Sequence, residues 1–270
     1  MINWRAIATR VLTMNLMKVV FLLLGAVILL FIFIPLFTMT VSSSPSQLLD
    51  TLRQKEVAGA ILLSLYAALL ATAVGFILGI PLAYLLARHD FPGKGIIEGL
   101  IDLPIVIPHS AAGIALLFVF GRRFLLGSAF HTLGIDFVGE IPGIVIAMLF
   151  VSIPFLINSA KEGFKKVDVR LENVARTLGA SPWQAFFKIS LPLARGSILS
   201  GTVMMWARGI SEFGAVMMLA YYPMIASVLV YARFEAFGLD YAMPVAVLLI
   251  LACLVIFIAL RVIAHRWEER

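Results

Sequence analysis

Six runs of apolar residues, at roughly 19–41, 58–87, 103–121, 142–160, 196–220 and 242–264, decide what this chain of 270 residues can become. Most of them match the roughly 20 residues a helix needs to cross the hydrocarbon core of a bilayer. A spanning segment must satisfy its own backbone hydrogen bonds, and a helix does so. With 62% hydrophobic and 13% charged residues, the chain is far more apolar than an ordinary soluble domain. The expectation is an all-α membrane protein with six transmembrane helices, forming a single transmembrane domain over 1–270. The run at 58–87 exceeds one crossing and has to tilt or project from the membrane. The first run follows Arg5, Arg10 and Lys18 and precedes Ser42, Ser43 and Ser44, as a secretory signal would. Its 23 residues are too many for a signal's apolar core, so it reads as a retained anchor.

Basic residues set the orientation. Fifteen Lys and Arg lie on one side, near the N-terminus, at Arg88 and Lys94, between Lys161 and Arg195, and at Arg261, Arg266 and Arg270. Five lie on the other: Arg53, Lys55, Arg122, Arg123 and Arg233. The excess of basic residues on the cytoplasmic side of membrane proteins therefore places both termini and the segment 161–195 in the cytoplasm. The surplus of 21 basic over 15 acidic residues is spread over helix ends, which suits lipid headgroups and not nucleic acid. Arg122 and Arg123 suit headgroups too, or an incoming protein or dianion. Cys253, alone in the last run, reads as a small apolar filler.

Segment 161–195 is a polar island between two apolar runs. Leu171, Val174, Ala175 and Leu178 fall at i, i+3, i+4 and i+7, one apolar face of a short helix, with Arg170, Asn173 and Arg176 elsewhere. Glu172 precedes Arg176 by four residues, the favourable order for a helix ion pair. Gly179 supplies the C-cap. A second helix opens with Ser181 as N-cap, Pro182 at its first position and Gln184 closing a capping box. Two helices this short bury no core of their own, so their apolar face must lie against the membrane domain or a partner protein.

Within the spans, Ala67, Ala71, Gly75, Gly79, Ala83 and Ala87 recur every fourth residue and allow another helix to approach closely. The ridge serves either a dimer seam or a contact inside the subunit. Pro81, Pro104 and Pro108 break or kink the second and third spans. Pro108 is followed by His109 and Ser110, a polar pair that either lines a pathway or is a hydrogen-bonded structural feature. Asp102 reads as capping or positioning the helix entrance. Arg208 and Glu212 sit four apart near the middle of the fifth span, beside Phe213 and Gly214, where each charge costs about 2.5–3.5 kcal/mol. They form either a structural ion pair or the border of a translocation route.

No G-x-x-x-x-G-K-[ST] loop occurs, so this polypeptide is not expected to hydrolyse ATP, and H-E-x-x-H, C-x-x-C and G-x-S-x-G are absent as well. His89, His109, His131 and His265 lie in separate segments, which argues against a metal site. An intramembrane enzyme thus has no recognisable catalytic set.

The island resembles the cytoplasmic loop of permease subunits of ATP-binding-cassette importers, whose signature runs E-A-A, three residues, Gly, nine residues, I-x-L-P. Asn173-Val174-Ala175, Gly179 and Ile189-Ser190-Leu191-Pro192 keep that spacing, with Asn173 in the glutamate position and Glu172 one residue earlier. Three further segments, Phe91 to Lys94, Asp102 to Pro108 and Trp206 to Gly214, resemble the permeases of archaeal-type molybdate/tungstate importers. Sulfate permeases share related versions of them. The resemblance implies the type I importer fold, with two copies of this subunit, two ATPase subunits that bind ATP and Mg, and an external binding protein that delivers a tetrahedral oxyanion. It implies ATPase coupling through Arg170, Glu172, Asn173, Ala175, Gly179, Ala180, Ser181, Pro182, Ile189, Leu191 and Pro192. Pro108, His109, Ser110, Arg208, Glu212, Phe213 and Gly214 would line the pathway or gate. No cofactor is expected on this chain itself. The rival class is a secondary carrier driven by an ion gradient, with Arg208 and Glu212 as its relay.

Overall fold

The computed structural model describes the backbone of residues 4–268 and the side chains of residues 16–258. The chain forms two compact units, residues 1–49 and 50–270. The first contains α1 (Trp4–Ser42) and the start of α2 (Pro45–Arg53). Ser44 accepts the Gln47 N–H at 3.2 Å, which caps α2 just ahead of its proline.

The second unit is built on α3 (Lys55–Arg88), followed by α4 (Lys94–Val106), α5 (His109–Phe120) and α6 (Leu125–His131). The long α7 (Ile141–Lys166) leads into α8 (Val169–Thr177), α9 (Pro182–Ala185), a π-helical turn at Phe186–Ser190 and α10 (Leu191–Leu193). The chain closes with α11 (Arg195–Ile210), α12 (Gly214–Leu219), α13 (Ala226–Phe237) and α14 (Leu239–Glu268).

Helices α3, α7 and α11 pack against one another and form the centre of this unit. The small-residue ridge of α3 is the reason they can. Ala67, Ala71, Gly75, Gly79 and Ala83 are all buried. A Cβ at Gly75 would strike Met205 of α11, and one at Gly79 would sit 3.2 Å from Ile157 of α7. The ridge is therefore a contact inside the subunit. Helices α7 and α11 come as close: a Cβ at Gly201 would lie 2.7 Å from that of Ser159, whose hydroxyl donates to the Ser197 carbonyl at 2.6 Å. The opposite flank of α3, with Leu62, Leu69 and Ile77, is exposed and apolar, as a lipid-facing surface must be.

All six apolar runs are helical, but two are not single helices. The 103–121 run is divided at Ile107-Pro108, where α4 and α5 meet at 115°. Pro108 forces its predecessor into extended backbone, and Ile107 has φ −72° and ψ 146°. The 196–220 run breaks at Ser211 to Phe213, which separates α11 from α12. Four helices among the described residues are long and apolar enough to cross a membrane alone, or five if the bent pair counts as one span. Helix α13, which lies between the last two apolar runs, packs on α14 and α3. Two polar contacts hold α4 on α7: Asn158 donates to Asp102 at 2.6 Å and Lys161 to Glu98 at 3.0 Å. Asp102 is thus a positioning group. On the α5–α7 connection Arg122 is engaged by Asp136 through two bonds of 2.9 and 3.0 Å, which lower the Asp136 carboxyl's pKa.

Candidate functional site: a docking hairpin and an intramembrane charge cluster

Helix α3 serves as a ruler. Its 34 residues span about 50 Å. Gln54 and Glu56, at its start, border a cavity of about 620 Å³ lined also by Arg233, Tyr221, Tyr231 and Tyr241. Some 20 Å further along, Ala68 lies 3.5 Å from a Cβ built on Gly209, level with the charges of the fifth run. Tyr84 and Arg88, in its last turn, hold the polar island.

The island folds into a hairpin. Asp168 caps α8 by accepting the Arg170 N–H at 2.9 Å. Gly179 ends it at φ +93°, a conformation in which a side chain is strained, while its own N–H reaches the Arg176 carbonyl and the Ala180 N–H reaches that of Ala175. Ser181 and Gln184 form the expected capping box, at 3.2 and 2.8 Å, with Pro182 in the first helical position. The apolar face of α8 points away from the rest of the chain. Leu178 is 84% exposed, Leu171 and Val174 are exposed, and Trp183, 72% exposed, stacks on exposed Phe187 at 5.9 Å. Of the other residues assigned to coupling, Arg170, Asn173, Ser181, Pro182 and Pro192 are exposed, and Ala175, Ala180, Ile189 and Leu191 are half-buried.

Glu172 behaves differently. It is 7% exposed, and the expected pair with Arg176 does not form. Its carboxylate instead accepts from Arg88 Nε at 2.7 Å, Tyr84 at 2.8 Å and Ser190 at 2.7 Å. Burial alone would raise its pKa, but these bonds and the guanidinium charge hold it below the ordinary glutamate value. Arg88 also donates to the Phe164 and Val167 carbonyls at the end of α7. Sequence reasoning missed Arg88, Tyr84 and Ser190. Arg88 reads as a headgroup anchor, and nothing in the chain order ties it to a residue 84 positions on.

The two polar groups of the spans, separated by 99 residues, form one cluster. Arg208 donates to Glu212 at 3.0 Å and lies 2.9 Å from His109 Nε2, while His109 Nδ1 is 3.2 Å from Glu212. Glu212 has 0% exposure and uses its second oxygen to accept the Ala215 N–H at 2.9 Å, capping α12. Its backbone carbonyl accepts from Ser227 of α13 at 2.7 Å. Pro108 and Ser110 are exposed beside it, the Phe213 ring contacts that of Tyr231, and a Cβ at Gly214 would lie 3.0 Å from that of His109. The helix breaks at 107–108 and 211–213 thus meet around one charge-compensated knot.

The second unit is thus a helical bundle with broken apolar runs and an exposed apolar hairpin. A family model for the binding-protein-dependent transport system inner membrane component matches residues 75–269. The chain belongs to that family and is a permease of the ATP-binding-cassette importer class, located in the plasma membrane. It is 44% identical over 248 residues to the molybdate/tungstate transport system permease protein WtpB of Thermococcus kodakarensis, covering 91% of this chain and 95% of that one. It is 34% identical over 201 residues to a probable sulfate transport system permease of Anthoceros angustus, covering 71% and 70%. Among solved structures, a bacterial alginate ABC transporter in complex with a periplasmic protein superposes with a TM-score of 0.70 at 19% identity, over 98% of this chain and 97% of that one.

Proposed function

We propose that this chain forms the translocation pathway of an ATP-driven importer for a tetrahedral oxyanion, molybdate or tungstate, with both termini and the hairpin in the cytoplasm. Two copies would enclose the route, two ATPase subunits would bind ATP and Mg, and an external binding protein would deliver the anion. The observation that carries the reading is the hairpin, an apolar face of Leu171, Val174 and Leu178 turned outward and ringed by Arg170 and Asn173. An exposed apolar patch rimmed by polar groups marks a protein contact. The Arg208, Glu212 and His109 cluster lies about midway along the bundle, where the route would be gated.

Vesicles containing the complex, with ATP inside and radiolabelled molybdate outside, should accumulate label only when ATP is present, and vanadate should stop it. Uptake driven by an ion gradient without ATPase would overturn the proposal in favour of a secondary carrier. The likeness to sulfate permeases supports a second reading, import of sulfate or thiosulfate, and excess sulfate in the same assay separates the two. Competition at equimolar sulfate would favour it.

A further inference from the structure

Two elements outside α8 converge on one buried carboxylate at the foot of the bundle, and Arg88 ties in a third. Glu172 of α8 receives bonds from Arg88 and Tyr84 of α3 and from Ser190 of the π-helical turn, and Arg88 reaches on to the carbonyls of Phe164, in the last turn of α7, and Val167, just past it. The side chains of Arg88 and Glu172 are 6% and 9% exposed, and Ser190 is fully buried. The Tyr84 ring is wedged edge-on between Phe164 and Phe186 at 5.3 and 4.9 Å. Asn173, the next residue on α8, lies exposed on the other side of the helix. Glu172 therefore has little surface to offer a docked protein.

We infer that Glu172 is a positioning residue that makes the hairpin one rigid body with the ends of α3 and α7, so that movement of the hairpin is delivered to α3 as well as to the helices on either side of it in sequence. Through its small-residue ridge α3 is packed on α7 and α11, so all three would move together. The inference rests on the importer reading above. It assigns the hairpin two faces with separate duties: Leu178 and Trp183 grip the ATPase, and Glu172 transmits.

Separate duties give separable variants. In the reconstituted complex, Glu172→Gln should leave the affinity of the permease for its ATPase within about twofold of wild type while the molybdate imported per ATP hydrolysed falls tenfold or more. Tyr84→Phe and Ser190→Ala, which keep the charge pair, should lower that ratio by smaller steps. Trp183→Ala should do the reverse, weakening ATPase binding. Wild-type coupling in Glu172→Gln overturns the inference, as does a loss of ATPase affinity as large as that of Trp183→Ala, which would make Glu172 a docking contact. A variant that misfolds is identified by a lowered melting temperature, and the hydroxyl variants then carry the test: unchanged coupling in both overturns the inference. If the wild-type chain recruits no ATPase at all, the importer reading falls and this inference with it.

Discussion

At the scale of single residues, the two buried carboxylates among the described residues of the second unit, Glu172 and Glu212, obey one rule: a charge removed from water must find both a counter-charge and enough hydrogen bonds. Glu212 meets it with Arg208, His109 and the Ala215 amide. Replacing one member strands the other, and breaking a buried pair in this way costs about 3–5 kcal/mol. Glu212→Gln should lower the melting temperature of the detergent-solubilised protein clearly, and adding Arg208→Met should recover part of the loss. A double variant no better than the sum of the singles would refute the coupling. For Glu172 the sign follows from the direction of its shift. Its carboxyl is held below the ordinary 4.5, so its contribution is fully present above that value and is lost as pH falls through and beneath it. The protection factors of α8 amides, corrected for the intrinsic pH dependence of exchange, should be insensitive to this group between about pH 6 and about pH 9 and should fall in acid. Of these side-chain partners only Arg208, four residues before Glu212, is legible in chain order. The helix ion pair of Glu172 with Arg176 has the right spacing, yet burial against α3 and the π-helical turn offers three donors at once, and that outweighs an exposed pair worth about 0.3–0.5 kcal/mol.

At the scale of elements, close helix packing rests on particular glycines. Gly59 and Gly75 lie on the same helix, but a Cβ at Gly59 meets nothing within 4 Å, whereas one at Gly75 runs into Met205. Gly75→Val should therefore cost about 1–3 kcal/mol more than Gly59→Val, read as the difference in melting temperature of the two variants. In the hairpin, Gly179→Val forces a β-branched residue to φ +93° and should abolish transport-coupled ATP hydrolysis while leaving the bundle intact. Unchanged stimulation of hydrolysis by loaded binding protein would contradict it. The capping box of α9 and the glycine stop of α8 were readable because caps are local chemistry, settled within four residues. The break at Ser211 to Phe213 was not. It depends on Glu212 turning back to cap α12 and on Ser227, 15 residues later, holding its carbonyl. Helix α13 was missed because its apolar and polar residues follow no clear face.

At the scale of the whole molecule, the apolar runs were legible because membrane crossing is a matter of length and polarity alone, and every run is helical in the structure. What length does not encode is whether a run passes straight through. Pro108 marks one interruption, but the 115° bend it produces needs α4 to be fastened to α7 by Asp102 and Glu98, partners 56 and 63 residues from Asn158 and Lys161. The three stations along α3 likewise emerge only when distant segments are assembled: the cavity at its start, the charge cluster level with Ala68 and the hairpin at its last turn.

The outward Leu178 and Trp183 also bear on how such a subunit survives in a cell. Among the described residues nothing shelters these greasy groups, so under the importer reading a copy synthesised in excess would be prone to clump with its siblings or be cleared by proteases. Balanced production with whatever covers that surface then becomes a requirement for the polypeptide's persistence.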